Sequence, residues 1–260
     1  MNTKLPVILR REGAVVHLRF NRPHALNAID ADMVQHFLAA CNDIAEDSSV
    51  RAVVLSGEGK GFMAGGDLAA MKANPQSIAK EIIDPLHLAM LKLASLDAPV
   101  IASVHGMVAG AGVSLALNAD FVIAAEGTRF NLAYVNVGAS CDGGASFALP
   151  RITGLRRALE IALLGETFDA AEALRLSIVN RVVPAPTLEA ETIKLAQRMA
   201  DGPTVAMGHI RRLMRRSFES DFAQQLDAEK KAFEACTATH DFKEGVQAFF
   251  EKRPAQYQGS

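Results

Sequence analysis

The sequence predicts an α/β protein whose C-terminal part is helical. Short apolar segments typical of strands alternate with segments of helical periodicity in the first half of the chain. From Leu155 onward the chain is predicted to be helical almost throughout. Half of the 260 residues are hydrophobic, which suits one large domain, or one domain with a helical appendage.

The predicted strands are short runs of apolar and β-branched residues. They cover residues 13–20, 51–57, 99–106, 120–127 and, in the second half, 179–184. Helices are predicted where apolar residues recur every three or four positions, and Asp30 is the expected N-cap of the first one. The predicted helices cover residues 30–47, 67–73, 77–96, 112–119, 155–165, 170–177, 189–202, 203–218, 222–236 and 241–253.

The charge and the cysteine content narrow the classes of function. A net charge of −2 and a pI near 6.4 give no reason to expect nucleic acid or an anionic membrane as partner. Three separated cysteines without a CxxC pair indicate a reducing compartment and argue against a disulfide framework or a zinc site. The N-terminus has no signal-peptide pattern, and no apolar run reaches the roughly 18 residues that span a bilayer. We therefore expect a cytoplasmic enzyme or binding protein.

One local cluster of arginines contrasts with the negative net charge of the chain. It consists of Arg211, Arg212, Arg215 and Arg216, which recur at helical spacing. Because charge clusters usually lie at the surface, we predict that these side chains line a solvated or subunit-facing edge of a helix.

Two glycine-rich turns, at residues 56–68 and 105–120, each follow a predicted strand and precede a predicted helix. The backbone N–H groups at a helix start are unpaired and favour negative charge, and glycines let a ligand approach the backbone closely. Neither turn matches a phosphate-binding motif. Two such turns in one chain suggest an oxyanion hole, in which two N–H groups bind one oxygen, although each alone is also explained as a tight connection.

Asp142 is the only Asp, Glu, Lys or Arg residue between Phe130 and Pro150. A carboxylate that is removed from water is a stronger base than a solvated one, so this residue is a candidate acid/base. The alternative is a turn residue, because Asp-Gly is a common turn dipeptide and Asp can cap the helix that follows. The neighbouring Cys141 is expected to be a small buried filler.

Several segments resemble those of the crotonase (enoyl-CoA hydratase/isomerase) superfamily in the family's order. They are "RFNRPHALNAID", "GEGKGFMAGGDL", "HGMVAGAGVSLALNADFVIAA", "ALLGETFDAAEALRLSIVNRVVP" and "FKEGVQAFFEKRPAQY". The resemblance implies the ClpP/crotonase spiral of ββα units over residues 1–200 and a helical trimerisation region over 201–260. It also implies an acyl-CoA thioester substrate, no cofactor beyond the coenzyme A of that substrate, and a homotrimer or a dimer of trimers.

By matching position, the resemblance implies roles for individual residues. The two oxyanion-hole N–H groups would belong to Gly66 and Ala111. The backbone that lines the CoA channel would lie around Ala25, Ala64, Asp67 and Leu68, and the CoA nucleotide would contact Phe249 and Lys252.

The chain departs from the family pattern at the catalytic acids. Hydratases of the family use two glutamates, whose positions are Ser114 and Tyr134 here. Asp142 instead matches an aspartate of the ring-1,2-epoxyphenylacetyl-CoA and Δ3,Δ2-enoyl-CoA isomerases, and "CDGGASFALPRITG" is similar to their segment. The resemblance thus favours an isomerase that moves a double bond, or opens a ring epoxide, with Asp142 as acid/base. We expect Tyr134 to pack against the acyl pocket wall rather than to form a hydrogen bond, and His87 to be a hydrogen-bonded helix residue rather than a catalytic one.

Three other functions remain open from the sequence. An enoyl-CoA hydratase would use Asp142 or Tyr134 to orient water. A dehalogenase or thioester hydrolase would use Asp142 as nucleophile and His87 as base, as the alignment with 4-chlorobenzoyl-CoA dehalogenase implies. A crotonase body without activity would bind a CoA ester or RNA, although the acidic net charge argues against RNA.

Overall fold

A computed structural model describes residues 5–260 and contains two β-sheets. The strands are β1 (Val7–Glu12), β2 (Val15–Phe20), β3 (Ala52–Gly57), β4 (Val100–Val104), β5 (Met107–Ala109), β6 (Phe121–Ala125), β7 (Arg129–Asn131), β8 (Phe168–Asp169) and β9 (Arg181–Val183). The larger sheet has the order β1-β2-β3-β4-β6-β9, and the smaller has the order β5-β7-β8.

The helices lie between the strands and then dominate the C-terminal part, which agrees with the predicted α/β class. They are α1 (Ala31–Glu46), α2 (Leu68–Ala73), α3 (Asp84–Ser95), α4 (Ala111–Asn118), α5 (Ala145–Thr153), α6 (Leu155–Leu164), α7 (Ala170–Arg175), α8 (Leu188–Ala200), α9 (Thr204–Arg216), α10 (Phe222–Thr237) and α11 (His240–Glu251). Within residues 5–260, none of these helices is long and apolar enough to cross a membrane.

The parallel strands of the larger sheet place the two glycine turns at one edge. β2, β3, β4, β6 and β9 pair in parallel, while β1 pairs with β2 in antiparallel orientation. Buried parallel strands are expected to be continuously apolar, as β6 is. Because β3 and β4 are parallel neighbours, their carboxyl ends, which open the two turns, lie at the same edge of the sheet.

Two successive ββα units are visible in the topology. β4, β5 and α4 form the first, and β6, β7 and α5 form the second. The corresponding strands of the two units pair in parallel, β4 with β6 and β5 with β7. The chain therefore advances by one unit along both sheets at once, which is the arrangement of a spiral.

The hydrophobic core lies between the larger sheet and the helices. α1 begins after Asp30, whose side chain accepts a hydrogen bond from the amide of Met33 at 2.9 Å, as predicted. Phe37 of α1 packs edge-on against Phe20 of β2 with 5.3 Å between ring centroids. Phe62, in the first glycine turn, packs against the same ring and so anchors that turn to the core.

Several local predictions differ from the structure. The strands β5, β7 and β8 of the smaller sheet were missed, because segments of two or three residues are too short for a strand pattern. β1 was missed because half of its residues are charged and all except Val7 are exposed, and the strand predicted at 13–20 begins only at Val15, after a turn with Gly13 at φ +59°. α5 was missed because its glycines and proline resemble a loop. The helix predicted at 77–96 is divided into a π-helical turn, Ala79–Ile83, and α3, because Pro85 has no N–H to continue the regular ladder.

The prediction that the four arginines line a solvated or subunit-facing edge was wrong for Arg211, whereas the other three side chains remain partly or fully exposed. Arg211 is buried and its Nε lies 2.7 Å from a carboxylate oxygen of Asp120, while Arg215 pairs with the other oxygen at 2.9 Å. Arg212 pairs with Asp97 at 2.6 Å. These carboxylates precede β6 and β4 and lie about a hundred positions away in sequence. The ion pairs therefore fix α9 to the sheet just beyond residues 201–203, where we predict the boundary between core and C-terminal region.

Candidate active site

The two glycine turns run side by side and in the same direction. Met63 and Val108 are paired as a parallel bridge: the Met63 amide donates to Met107 at 3.2 Å, and the Ala109 amide donates to Met63 at 2.8 Å. Gly66 and Ala111 each lie three residues beyond this pair. Within residues 5–260, neither of their amides donates a hydrogen bond to the chain. Both N–H groups are thus available to a ligand.

Close contact between the turns depends on two glycines. Gly65 has φ +97°, and a Cβ at this residue would lie 3.2 Å from the carbonyl oxygen of Ala109. Gly110 has φ +50° and packs against the Cα of Gly65. It is also the N-cap of α4, so the Ala111 amide is the first of that helix and lies at its positive end. The arrangement can stabilise one oxyanion between the two turns.

A third segment, the loop after β2, is tied to the first turn. The buried side chain of Asn27 donates to three carbonyl groups of that turn, those of Glu58, Gly61 and Phe62. The Ala64 amide donates to the carbonyl of Leu26 at 3.0 Å. The structure therefore brings the loop that contains Ala25 against Ala64, and their role in a CoA channel stays a prediction.

The Asp67 carboxylate has a structural role at the same place. It accepts hydrogen bonds from the amides of Ala69 and Ala70, which begin α2, and from Arg22 at 3.1 Å. Partial burial alone would raise the pKa of Asp67, but the Ala70 amide and the Arg22 guanidinium together hold this pKa below its ordinary value. Leu68 follows with an exposed side chain.

Asp142 is half-buried and does not cap α5. The N-cap of that helix is Gly144, and no side-chain hydrogen bond caps it. Instead the Tyr134 hydroxyl donates to Oδ1 of Asp142 at 2.5 Å. The expected apolar surroundings are therefore interrupted by a polar partner, and Oδ2 receives no hydrogen bond from the described residues.

Ser114 connects Asp142 to the peptide that carries the Ala111 amide. Its Oγ lies 3.0 Å from the Tyr134 hydroxyl and 3.0 Å from the carbonyl oxygen of Asp142. The same Oγ lies 3.4 Å from the carbonyl oxygen of Gly110, which belongs to the peptide unit of the Ala111 N–H. The hydrogen bonds of Ser114 thus connect the backbone of Asp142 to the start of α4, where the Ala111 amide lies.

The turn after Asp142 is fixed by two helices. The Gly143 amide donates to Nε2 of His87 on α3 at 3.1 Å, and its carbonyl accepts from Asn118 of α4 at 3.2 Å. Gly143 has φ +55°, and a Cβ at this residue would lie 2.9 Å from the Cβ of Ser114. The first of the two glycines after Asp142 is thus required by a left-handed backbone and by close contact with α4.

The expectations for three candidate residues have different outcomes. The prediction that Tyr134 mainly packs against a wall was wrong, because its hydroxyl is hydrogen-bonded on both sides. His87 is hydrogen-bonded through Nε2, as expected for a helix histidine. Cys141 is only half-buried, and burial together with the charge of Asp142 raises the pKa of its thiol.

The contacts that Asn118 and two methionines make at the site were not predicted from the sequence. Asn118 lies four residues after Ser114 and hence on the same face of α4, which is a signal visible in the sequence. The Sδ of Met90 lies near Gly143, and the terminal methyl of Met71 lies against Gly66. These thioethers give the site apolar walls that can adapt to an acyl group.

Burial and the charge of Asp142 raise the pKa of the Tyr134 phenol well above its ordinary value of 10.0. The folded chain therefore keeps this proton where the unfolded chain releases it, and the free energy of unfolding should fall as pH rises above about 10. The chain has two tyrosines and no tryptophan, so Tyr257→Phe leaves Tyr134 as the only chromophore of this kind. We expect no phenolate absorbance in this variant until it unfolds. Phenolate formation near pH 10 in the folded state would contradict this expectation.

Within the part of the chain that the structure describes, no three His, Cys, Asp or Glu side chains are grouped as a metal site would require. The site consists of backbone amides, one carboxylate and two hydroxyls. Such groups can bind a carbonyl oxygen and transfer protons.

Comparison with known proteins supports the resemblance. Residues 10–260 match the family model described as enoyl-CoA hydratase/isomerase. The chain is 34% identical to the 1,2-epoxyphenylacetyl-CoA isomerase of Escherichia coli K12 over 95% of this chain and 96% of that protein. It is 36% identical to a probable enoyl-CoA hydratase of Rhodobacter capsulatus over 95% of both chains. A crystal structure of an enoyl-CoA hydratase subunit from Geobacillus kaustophilus superposes with a TM-score of 0.91 at 34% identity and covers 98% of each chain.

Proposed function

The chain belongs to the enoyl-CoA hydratase/isomerase family and has its crotonase fold, and from this premise we propose that it isomerises an acyl-CoA thioester. The observation that carries the proposal is the single carboxylate at the site. The Asp142 carboxylate bonds to the Tyr134 hydroxyl, which in turn bonds to the Ser114 hydroxyl, and the family resemblance places the two glutamates of a hydratase at these two hydroxyl positions. Moving a proton between two carbons requires one base, whereas adding water conveniently uses two groups.

The reaction proceeds through an enolate. The thioester carbonyl oxygen lies between the amides of Gly66 and Ala111, and Oδ2 of Asp142 takes a proton from one carbon of the acyl chain. The electrons of the broken C–H bond enter the conjugated system and place negative charge on the carbonyl oxygen, where the two amides stabilise it. Asp142 then returns the proton two carbons away, and the double bond has moved.

The remaining candidate residues would bind the rest of the substrate. We place the coenzyme A along the backbone of Ala25, Ala64, Asp67 and Leu68, which the hydrogen bonds of Asn27 and Arg22 hold together. Tyr134 and His87 would lie on the acyl side, because both are bonded to the 142–143 turn.

Hydration is a second candidate, which the Rhodobacter capsulatus relative supports. The Escherichia coli relative supports the isomerase and makes a ring epoxide a candidate substrate. Since relatives of similar identity have both names, the reaction must be assigned by experiment.

A comparison of two substrates separates these reactions. The protein is incubated in deuterated water with a 3-enoyl-CoA and, separately, with crotonyl-CoA, and the enoyl absorbance is followed. An isomerase should convert the 3-enoyl-CoA to the conjugated 2-enoyl-CoA, which gains absorbance, and should leave crotonyl-CoA unhydrated. Rapid loss of absorbance from crotonyl-CoA would favour hydration instead, and release of free CoA thiol would indicate hydrolysis.

The proposal extends to assembly as a homotrimer or a dimer of trimers. α6 exposes the leucines Leu155, Leu159 and Leu163 along one face. The C-terminal helices expose the phenylalanines Phe222, Phe249 and Phe250. Apolar faces of this extent are typical of subunit contacts, and two different faces on one chain suit a closed ring.

A further inference from the structure

We propose that Tyr134 is a positioning residue that holds Oδ1 of Asp142, so that Oδ2 alone exchanges protons with the acyl chain, and that Ser114 in turn holds Tyr134. This inference rests on the proposed function, because it assigns the means by which the acid/base is oriented. It follows from the hydrogen bonds at the site and from how they must be directed.

The direction of the hydrogen bonds is set by the carboxylate. An ionised carboxylate only accepts, so the Tyr134 hydroxyl donates its single proton to Oδ1. The Tyr134 oxygen can then only accept, and the single Ser114 proton is shared between this oxygen and the carbonyl oxygen of Asp142, each 3.0 Å from Ser114 Oγ. The Tyr134 proton is therefore directed toward the negative charge, and Ser114 holds both Tyr134 and the backbone of Asp142.

Tyr134 remains a donor over the working pH range. Burial and the nearby charge of Asp142 raise the pKa of its phenol, so this group neither ionises nor serves as the reacting acid. A neutral donor can orient the carboxylate without competing for the proton that the substrate loses.

The backbone around Tyr134 is fixed before any ligand binds. Ala133 has φ +60°, a left-handed conformation that is uncommon for a residue with a side chain. Its amide donates to the Asn131 side chain at 2.7 Å, and the Tyr134 amide donates to Leu132 at 2.8 Å. A constrained backbone of this kind is expected where a side chain must keep a fixed position.

The carboxylate is anchored on the other side as well. The carbonyl of Asp142 accepts from the Ala145 amide at 3.2 Å and lies 3.0 Å from Ser114 Oγ. The carboxylate can then move only by rotation about its side-chain bonds, and the hydrogen bond from Tyr134 prevents this rotation. One oxygen is thereby fixed and the other is directed to the acyl side.

The test compares Tyr134→Phe with Tyr257→Phe, which removes the same hydroxyl from the C-terminal tail. Proton exchange on an acyl-CoA thioester is measured in deuterated water as kcat and KM. We expect Tyr134→Phe to lower kcat by about 10–100-fold with little change in KM. Ser114→Ala should act in the same direction with a smaller effect, and Tyr257→Phe should match the wild type.

The other titratable groups near Asp142 are Cys141 beside it and His87 behind Gly143, and both are unchanged in these variants. An independent measurement changes the acidity of the phenol and keeps its hydroxyl. Incorporating 3-fluorotyrosine into Tyr257→Phe modifies Tyr134 alone. A more acidic phenol still donates to Oδ1, so this protein should keep the kcat that Tyr134→Phe loses.

Two outcomes would overturn the positioning role. One is a wild-type kcat in Tyr134→Phe; the other is a change confined to KM, which would assign Tyr134 to the pocket wall. Asp142→Asn tests the proposed function separately. If that variant loses exchange while Tyr134→Phe behaves as wild type, only the positioning role fails, whereas persistent exchange in Asp142→Asn removes the proposed function itself.

Discussion

Replacing Asp142 with asparagine is expected to lower the rate of proton exchange on an acyl-CoA thioester by about 10²–10⁴-fold, the range in which a positioned acid or base contributes. Asparagine has nearly the same shape and can still accept the hydrogen bond from Tyr134, but its amide cannot take a proton. Binding of a CoA ester should persist, because the segments proposed to hold the coenzyme lie at Ala25 and Ala64. Exchange and binding are measured on the same protein by deuterium incorporation and calorimetry.

The matched control is Asp43→Asn, which removes an exposed carboxylate of α1 and the same unit of charge. Its exchange rate should equal that of the wild type. Mass spectrometry during turnover addresses the nucleophilic alternative, since an acyl adduct on Asp142 would show that the carboxylate attacks rather than transfers a proton. Exchange at the wild-type rate in Asp142→Asn would eliminate Asp142 as the base.

The second large effect is expected from Ala111→Pro, which deletes one proposed oxyanion-hole donor. Ala111 is the first residue of α4, a position where proline is well tolerated because its N–H has no partner inside the helix. The helix should therefore form, while the donor is replaced by a methylene group. We expect kcat to fall by about 10²–10³-fold, or about 3–4 kcal/mol, as for the loss of other such donors.

A proline at the first position of another helix is the control for any effect of proline on helix formation. Ala31 begins α1 after Asp30, and Ala31→Pro should retain the wild-type exchange rate and melting temperature. Ala111→Pro should also melt close to the wild type, which would separate lost catalysis from lost folding. An unaltered exchange rate in a folded Ala111→Pro protein would show that this amide does not bind the reacting oxygen.

The site's backbone features were predictable because each has a local signature. A strand that ends in glycines before a helix exposes N–H groups, and this pattern suggested an oxyanion hole, for which the family resemblance implied Gly66 and Ala111. Asp142 was identifiable because it is isolated among uncharged residues. The crotonase fold followed from motifs in family order and is confirmed by the superposition.

The contacts between distant segments could not be predicted from the chain alone. Tyr134 and Ser114 are 20 residues apart in sequence, one in a predicted loop and the other in a predicted helix. In the structure their hydroxyl oxygens are 3.0 Å apart. The ion pair between Arg211 and Asp120 was not predicted for the same reason, because neither residue differs from its neighbours in its own segment. Hydrogen-bond partners are set by tertiary packing, on which hydrophobic periodicity carries no information.

The close contact between Gly143 and Ser114 limits which side chains this part of the site can accept. A Cβ at position 143 would lie 2.9 Å from that of Ser114, so no residue other than glycine fits at 143 without displacing the backbone. A longer acid at 114 would take the place that the Tyr134 hydroxyl occupies beside Oδ1 of Asp142. Engineering a second carboxylate at position 114 therefore requires a simultaneous change at Tyr134.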